Sequence, residues 1–265
     1  EGASRSLRRA LKLSDGRSVP AALGLARIEI VLEDYEEAME HVRTALEVAV
    51  EPEDQATAQF LYGQAAFLRH AGTIMEEEAE EEQPDLRPAE TALRRAIQLG
   101  PPVRHQATIL LAEVLLLEGR RADARRVIGL LEGVDLSEDS KDRGEAIRCE
   151  LDLLGYDGFP EANYQPPVPE ESDRRSMKLS NEPPPPREGT AIIAFVVDTE
   201  GTVRCARALR SFSPRGAQRW LSELEKMAFK PATLDGNPIP ARNTQTTVVR
   251  FLSSSFSFAV PLDLL

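Results

Sequence analysis

Apolar residues recur every three to four positions through most of the first 155 residues and at every position or every second position after residue 190, so the pattern alone separates a helical part from a β-rich part. Over residues 20–50, Leu23, Leu25, Ala26, Ile28, Ile30 and Val31, then Tyr35, Ala38, Met39, Val42, Ala45, Leu46 and Ala49, fall into two blocks of helical spacing. They predict two helices with a short turn at Glu33 and Asp34. Residues 55–70 predict a further first helix containing Tyr62 and Gly63, and residues 88–99 its partner, with Ala89, Ala96 and then Pro101. A third pair spans residues 104–131, with Ala112, Gly119, Ala124 and Leu131 in the corresponding places. Residues 141–156, carrying Ala146, Ile147, Leu151 and Leu154, read as a terminal helix capping the stack.

The β-rich part opens with residues 191–197, where Ala191, Ile193, Phe195 and Val197 share one side and Ile192, Ala194 and Val196 the other. Both sides are apolar, so the second is expected to be covered rather than left in water. The tail is a candidate cover, since Phe256, Phe258 and Val260 alternate with Ser257 and Ala259 as in an added strand or an extended segment. Asp198-Thr199-Glu200-Gly201 supplies a hairpin turn, and residues 203–209 return as the second strand. Ser213 and Pro214 start a helix whose apolar face is Trp220, Leu221, Leu224, Met227 and Ala228. Phe229-Lys230-Pro231-Ala232 ends that helix, Asp235-Gly236-Asn237-Pro238 turns the chain, and residues 244–252 close as a last strand. The predicted order is strand, strand, helix, strand.

Between the two parts, residues 159–188 are rich in proline, which removes backbone donors and holds its predecessor extended. A linker is the expectation, with Pro183, Pro184, Pro185 and Pro186 in polyproline II as a stiff spacer; docking to an aromatic groove of SH3 type is the lesser alternative. Charge changes across this stretch: residues 1–186 carry about 22 basic and 37 acidic side chains, residues 187–251 about 10 and 6. The domain limits that follow are a helical region over 1–158, a linker over 159–188, an α+β domain over 189–252 and a tail over 253–265. With 265 residues, 42% of them hydrophobic, the chain has material for two packed cores. A net charge of -12 excludes a general affinity for nucleic acid, because that affinity needs clustered Lys and Arg. Two cysteines and three histidines, His41, His70 and His105, exclude a disulfide framework and a closed zinc site. No apolar run reaches the roughly 20 residues of a membrane-spanning helix, and the chain starts at Glu1, from which the expectation is that any signal peptide or anchor has been removed.

In the helical part, Leu25-Ala26, Tyr35, Ala38, Ala45 and Pro52 stand in an order that resembles the tetratricopeptide repeat, whose small residues let paired helices approach closely. Ala89 and Ala124 are 35 residues apart, near that family's period of about 34. Ala38 and Ala89 are 51 apart, and the acidic run near 75–85 is the expected insertion, read as an exposed extension or loop and, less favoured, as a lure for a basic partner. The resemblance implies a concave groove for a peptide or partner protein, with Arg27, Arg69 and Arg104 in or beside the first helices as candidate lining residues. Solvated helix arginines are the plainer reading of those three. A groove for C-terminal carboxylates is disfavoured, since no Asn precedes Asn163.

In the β-rich part, Gly189, Phe195, Asp198 with Gly201, the helix around Trp220, Phe229-Lys230-Pro231-Ala232, Asp235-Gly236-Asn237-Pro238 and Phe251 follow one another as in the TonB C-terminal domain, which the chain resembles over about 63 residues. That resemblance implies a periplasmic or cell-envelope protein of a Gram-negative bacterium whose last strand pairs with an extended segment of an outer-membrane transporter. Physically, an unprotected edge strand offers N–H and C=O groups to a partner strand. Thr244, Thr246, Val248 and Arg250 lie on one face of that strand and Gln245, Thr247 and Val249 on the other, and all seven are candidate partner-binding residues. Proline at Val248 is expected to abolish peptide binding without unfolding the domain, by deleting an edge donor. The family's energy transduction needs an N-terminal membrane anchor, and its usual Tyr-Pro element before the first strand is replaced here by residues 183–187.

Chemistry is scarce. No P-loop, Rossmann glycine run, G-x-S-x-G or H-E-x-x-H is present, the histidines lack a partner at ligand spacing, and neither catalytic residue, metal nor cofactor is expected. Cys149 and Cys205 are compatible with two reduced thiols or with one disulfide between the modules. The functional expectation is a non-enzymatic protein-binding protein: the TonB-like edge takes an extended peptide and the helical groove recruits a second protein. The alternative is a structural scaffold in which the TonB-like domain packs on the repeats and transduces no energy.

Overall fold

The computed structural model describes residues 2–73, 85–154, 164–169, 178–179, 189–210, 214–252 and 255–259. Most of the acidic run and the prolines at 183–186 lie outside the described residues, as does Val260 of the tail. The chain divides into two compact units, Glu1–Lys141 and Asp142–Leu265.

The first unit is a stack of helices: α1 (Gly2–Leu13), α2 (Val19–Leu32), α3 (Tyr35–Val48), α4 (Pro52–Thr73), α5 (Arg87–Leu99), α6 (Arg104–Leu117) and α7 (Arg121–Gly129). The Ser18 hydroxyl caps α2 by accepting the Ala21 N–H at 3.4 Å, and Pro20 sits in the first turn, where its missing donor costs nothing. Glu33 ends the helix with φ 72°, and Asp34 starts the next, so the turn lies where the sequence predicts it. Helices pair in sequence order, α2 with α3, α4 with α5 and α6 with α7, while α4 also touches both α2 and α6. Small residues set the approach. A Cβ on Gly63 would stand 2.7 Å from Leu93 Cγ, and Ala26, Ala38, Ala89, Ala112 and Ala124 are fully buried. Helix α6 is buried on every side from Ala107 to Leu116, as its unbroken apolar run requires. Helix α4 has 22 residues against 14 in α2 and α6 and ends before the expected insertion.

The second unit is built on a five-stranded antiparallel sheet. Its strands, in spatial order, are β3 (Lys178–Leu179), β10 (Ser255–Ala259), β9 (Ala241–Leu252), β4 (Gly189–Val197) and β5 (Val203–Arg210). Helix α9 (Pro214–Leu224) covers one face. Ile193, Phe195, Val197, Val203, Trp220, Leu224 and Phe229 form that core, with the Phe195 and Phe229 rings 5.5 Å apart. Each such side chain contributes about 1.5–3 kcal/mol by leaving water. In the β4–β5 turn, the Asp198 carboxylate accepts the N–H groups of Glu200 and Thr202, both at 2.9 Å. Gly201 has φ 82°, and a Cβ there would meet the Phe229 carbonyl oxygen at 2.0 Å, so only glycine fits. Asp235 and Gly236, both with positive φ, close the small hairpin of β7 (Ala232–Leu234) and β8 (Asn237–Ile239).

Three expectations need revision. Residues 159–188 are not linker throughout: β1 (Tyr164–Gln165) pairs with β7, β2 (Val168–Pro169) with β6 (Phe229–Lys230), and β3 with β10. These pairs are two residues long and held through the main chain, so they leave no alternation to read. Helix α8 (Glu138–Leu153), read as the cap of the stack, belongs to the second unit from Asp142 onward. The sheet's second apolar face, Ile192, Ala194 and Val196, is fully buried, and residues of α8 reach it, while the described tail residues 255–259 are added at the edge of β9. Register places Arg207 opposite Ala194 and Arg242 opposite Val196 on that face, and both arginines reach Glu150 of α8.

Candidate binding site

Strand β9 carries the seven partner-binding candidates. Thr244 pairs with Ala194, Gln245 with Ile193, Thr246 with Ile192, Thr247 with Ala191, Val248 with Thr190 and Val249 with Gly189 on the β4 side. On the other side the tail is docked: Val248 pairs with Ala259, Val249 with Phe258, Arg250 with Ser257, Phe251 with Phe256 and Leu252 with Ser255. Among the described residues, β9 is therefore flanked on both sides at Val248 and Val249, by β10 alone over 250–252 and by β4 alone over 241–247. Tail residues 255–259 do form an added strand, at the edge of β9 and not across the sheet face. Val248 is interior to the ladder, so proline there would break pairing within the fold as well as any contact with a partner.

The three arginines sit on three first helices, and their surroundings differ. Arg69 of α4 forms an ion pair with Glu36 of α3 and lies 3.2 Å from His70 Nε2. Burial, and then the Arg69 charge, push the His70 imidazole below its ordinary value. Arg69 thus bridges neighbouring helices, whereas Arg27 on α2 and Arg104 at the start of α6 are exposed. Tyr62, next to Gly63 in α4, carries Arg43 of α3 over its ring at 5.6 Å.

Sequence reasoning missed the polar centre beneath α8. Glu150 is fully buried, with Arg207 Nη2 2.7 Å from Oε2 and Arg242 Nη1 2.9 Å from Oε1. The two arginines are themselves nearly sealed, and the buried carboxylate forms an ion pair with each of them, tying the helix to the sheet. A signal was present: Glu150 interrupts the apolar stripe of Ile147, Leu151 and Leu154. Beside it, Cys149 is bonded to Cys205, with Cα atoms 5.6 Å apart. Cys205 has φ 55° and sits where the β4–β5 register shifts, so a bulge turns its side chain onto the α8 face. The disulfide joins helix to sheet within the second unit, not one module to the other. Nearby on β5, burial pushes the Arg210 guanidinium down to about 10.

Comparisons of the chain with protein-family models, with curated proteins and with solved structures each return no match. What the arrangement can do is accordingly judged from its own groups. The backbone of β9 over 241–247 and the pairing surface held by β10 are suited to main-chain hydrogen bonding with an extended segment. The α8 face is closed by its own helix, its ion triad and its disulfide.

Proposed function

We propose that the protein is a non-enzymatic, protein-binding component of a Gram-negative cell envelope. In this reading the second unit, similar to the TonB C-terminal domain, takes up an extended peptide of an outer-membrane or periplasmic partner along β9, and the first unit, similar to tetratricopeptide repeats, recruits a second protein. The observation that carries the reading is the half-covered β9 strand, flanked among the described residues by β10 over 248–252 and by β4 alone over 241–247. A partner strand either continues the line of β10 along 241–247 or replaces β10. Replacement exchanges one ladder for another, so its net gain is small and the tail sets the affinity. The disulfide supports an oxidising compartment, as the periplasm is.

Anisotropy of labelled extended peptides from outer-membrane transporters tests this, with the full chain and with a variant lacking residues 254–265. Binding that tightens by about tenfold or more on truncation is expected, roughly 1.4 kcal/mol in favour of the open strand. No binding by either form would reject strand addition and favour the scaffold reading, which the occupancy of β9 by β10 also supports.

A further inference from the structure

The Cys149–Cys205 bond differs from what surrounds it. Ile147, Glu150 and Leu151 of α8 and Val203 and Arg207 of β5 are buried, yet both cysteines are only half-buried, so the bond lies at the rim of the joint between helix and sheet. Cys205 also holds φ 55°, a left-handed backbone that residues other than glycine rarely adopt, at the register shift between β4 and β5. Disulfides that are exposed or held on unfavourable backbone are the ones that exchange with thiols, whereas sealed ones resist reduction.

Charge is distributed unequally about the two sulfurs. Glu150 is one carboxylate facing two guanidiniums, so the triad carries a net positive charge. Arg207 links it to the bond, since Nη2 pairs with Glu150 while Nη1 donates to the Cys205 carbonyl oxygen at 3.3 Å. A thiolate at Cys205 is stabilised by that neighbouring cation. Cys149 lies about one turn before Leu153, the end of α8, where the helix dipole disfavours negative charge. Cys205 is thus the better leaving group and Cys149 the sulfur to be attacked. Helix α8 has other holds on the sheet, because Ile147, Leu151 and Leu154 are buried and both ion pairs of Glu150 persist when the sulfurs part.

We propose that Cys149–Cys205 is a thiol–disulfide exchange site, opened by a dithiol of C-x-x-C type while the second unit stays folded. One thiolate of the dithiol attacks Cys149 Sγ, the S–S bond breaks, and its electron pair leaves with Cys205 as thiolate. The mixed disulfide then sits on Cys149. The reductant's second thiol gives up its proton and attacks the reductant's own sulfur in that mixed disulfide, releasing Cys149 as thiolate. The two protons lost by the dithiol are balanced by the two that the protein thiolates take up. The dithiol is oxidised by two electrons and the protein bond reduced by two. Exchange does not depend on strand addition at β9 and stands whether or not that occurs.

The full chain is incubated near neutral pH with dithiothreitol at rising concentration, quenched with iodoacetamide and weighed, while Trp220 fluorescence is followed in parallel. Both cysteines are expected to be alkylated with the Trp220 signal unchanged, at a rate that rises about tenfold for a tenfold rise in dithiothreitol. A rate indifferent to dithiothreitol, or a Trp220 change that accompanies reduction, would mean that the bond opens only by unfolding and would overturn the proposal. Reduced glutathione, a monothiol, marks the attacked sulfur. Peptide mapping after trapping with iodoacetamide is expected to place glutathione on Cys149 about tenfold more often than on Cys205. Equal labelling, or a preference for Cys205, would overturn the proposed course of attack.

Discussion

Asp198 shows how much one side chain can hold. Burial pushes its carboxyl up, while the Thr202 N–H, the Arg204 guanidinium and the Glu200 N–H pull it down, and the balance leaves it below its ordinary value. A carboxylate depressed by folding binds fewer protons in the folded state, so its stabilisation is complete above the unfolded value of about 3.9 and fades as pH falls through the lower folded value. Trp220, the chain's single tryptophan, belongs to α9, is buried in the core between that helix and the sheet, and reports on the second unit alone. Urea unfolding followed by its fluorescence should show wild type losing stability below about pH 4 more steeply than Asp198→Asn, with the two converging in acid. Parallel curves would remove Asp198 from the account. The neighbouring Gly201 is constrained for a different reason, since its Cβ position is occupied by the Phe229 carbonyl.

Among the elements, α8 is the one whose placement depends on more than its own pattern. Ile147, Leu151 and Leu154 make an apolar stripe that would suit a helical stack or a sheet equally, and nothing in the spacing chooses between them. The choice is made by Cys149 and Glu150, which find Cys205, Arg207 and Arg242 on strands far along the chain. A disulfide closing a loop of 56 residues is worth roughly 4 kcal/mol in the chain-entropy account. Replacing both Cys149 and Cys205 with serine should lower the stability of the second unit by about that amount. An unchanged urea midpoint at Trp220 would mean the bond adds nothing. By contrast, the turn at Glu33, the hairpin at Asp198–Gly201 and the paired helices were legible, because each has a local cause: a cap, a glycine needing positive φ, or a long amphipathic stripe. The short strands β1, β2 and β3 were not, since two residues show no period. For the candidate site, alternation around Phe256 and Phe258 announced a strand, but its register on β9 depends on backbone pairing that side-chain pattern does not encode.

At the scale of the whole molecule, the division after Lys141 changes where the chain should be cut. A fragment of residues 138–265 keeps α8, whereas one of 159–265 begins where composition alone sets the boundary. Without α8, Arg207 and Arg242 lose their carboxylate and the Ile192, Ala194 and Val196 face opens, and stranding buried charge typically costs about 3–5 kcal/mol. The longer fragment is expected to unfold cooperatively, and the shorter to give broad, poorly dispersed amide spectra; equally dispersed spectra would return α8 to the stack. The Cys149–Cys205 bond has one more effect, on topology. Both ends of the proline-rich stretch are fastened, so residues 149–205 form a covalent ring. A protease that nicks this ring once leaves a single molecule of unchanged mass apart from the added water, and the pieces part only where the surroundings are reducing enough to open the bond.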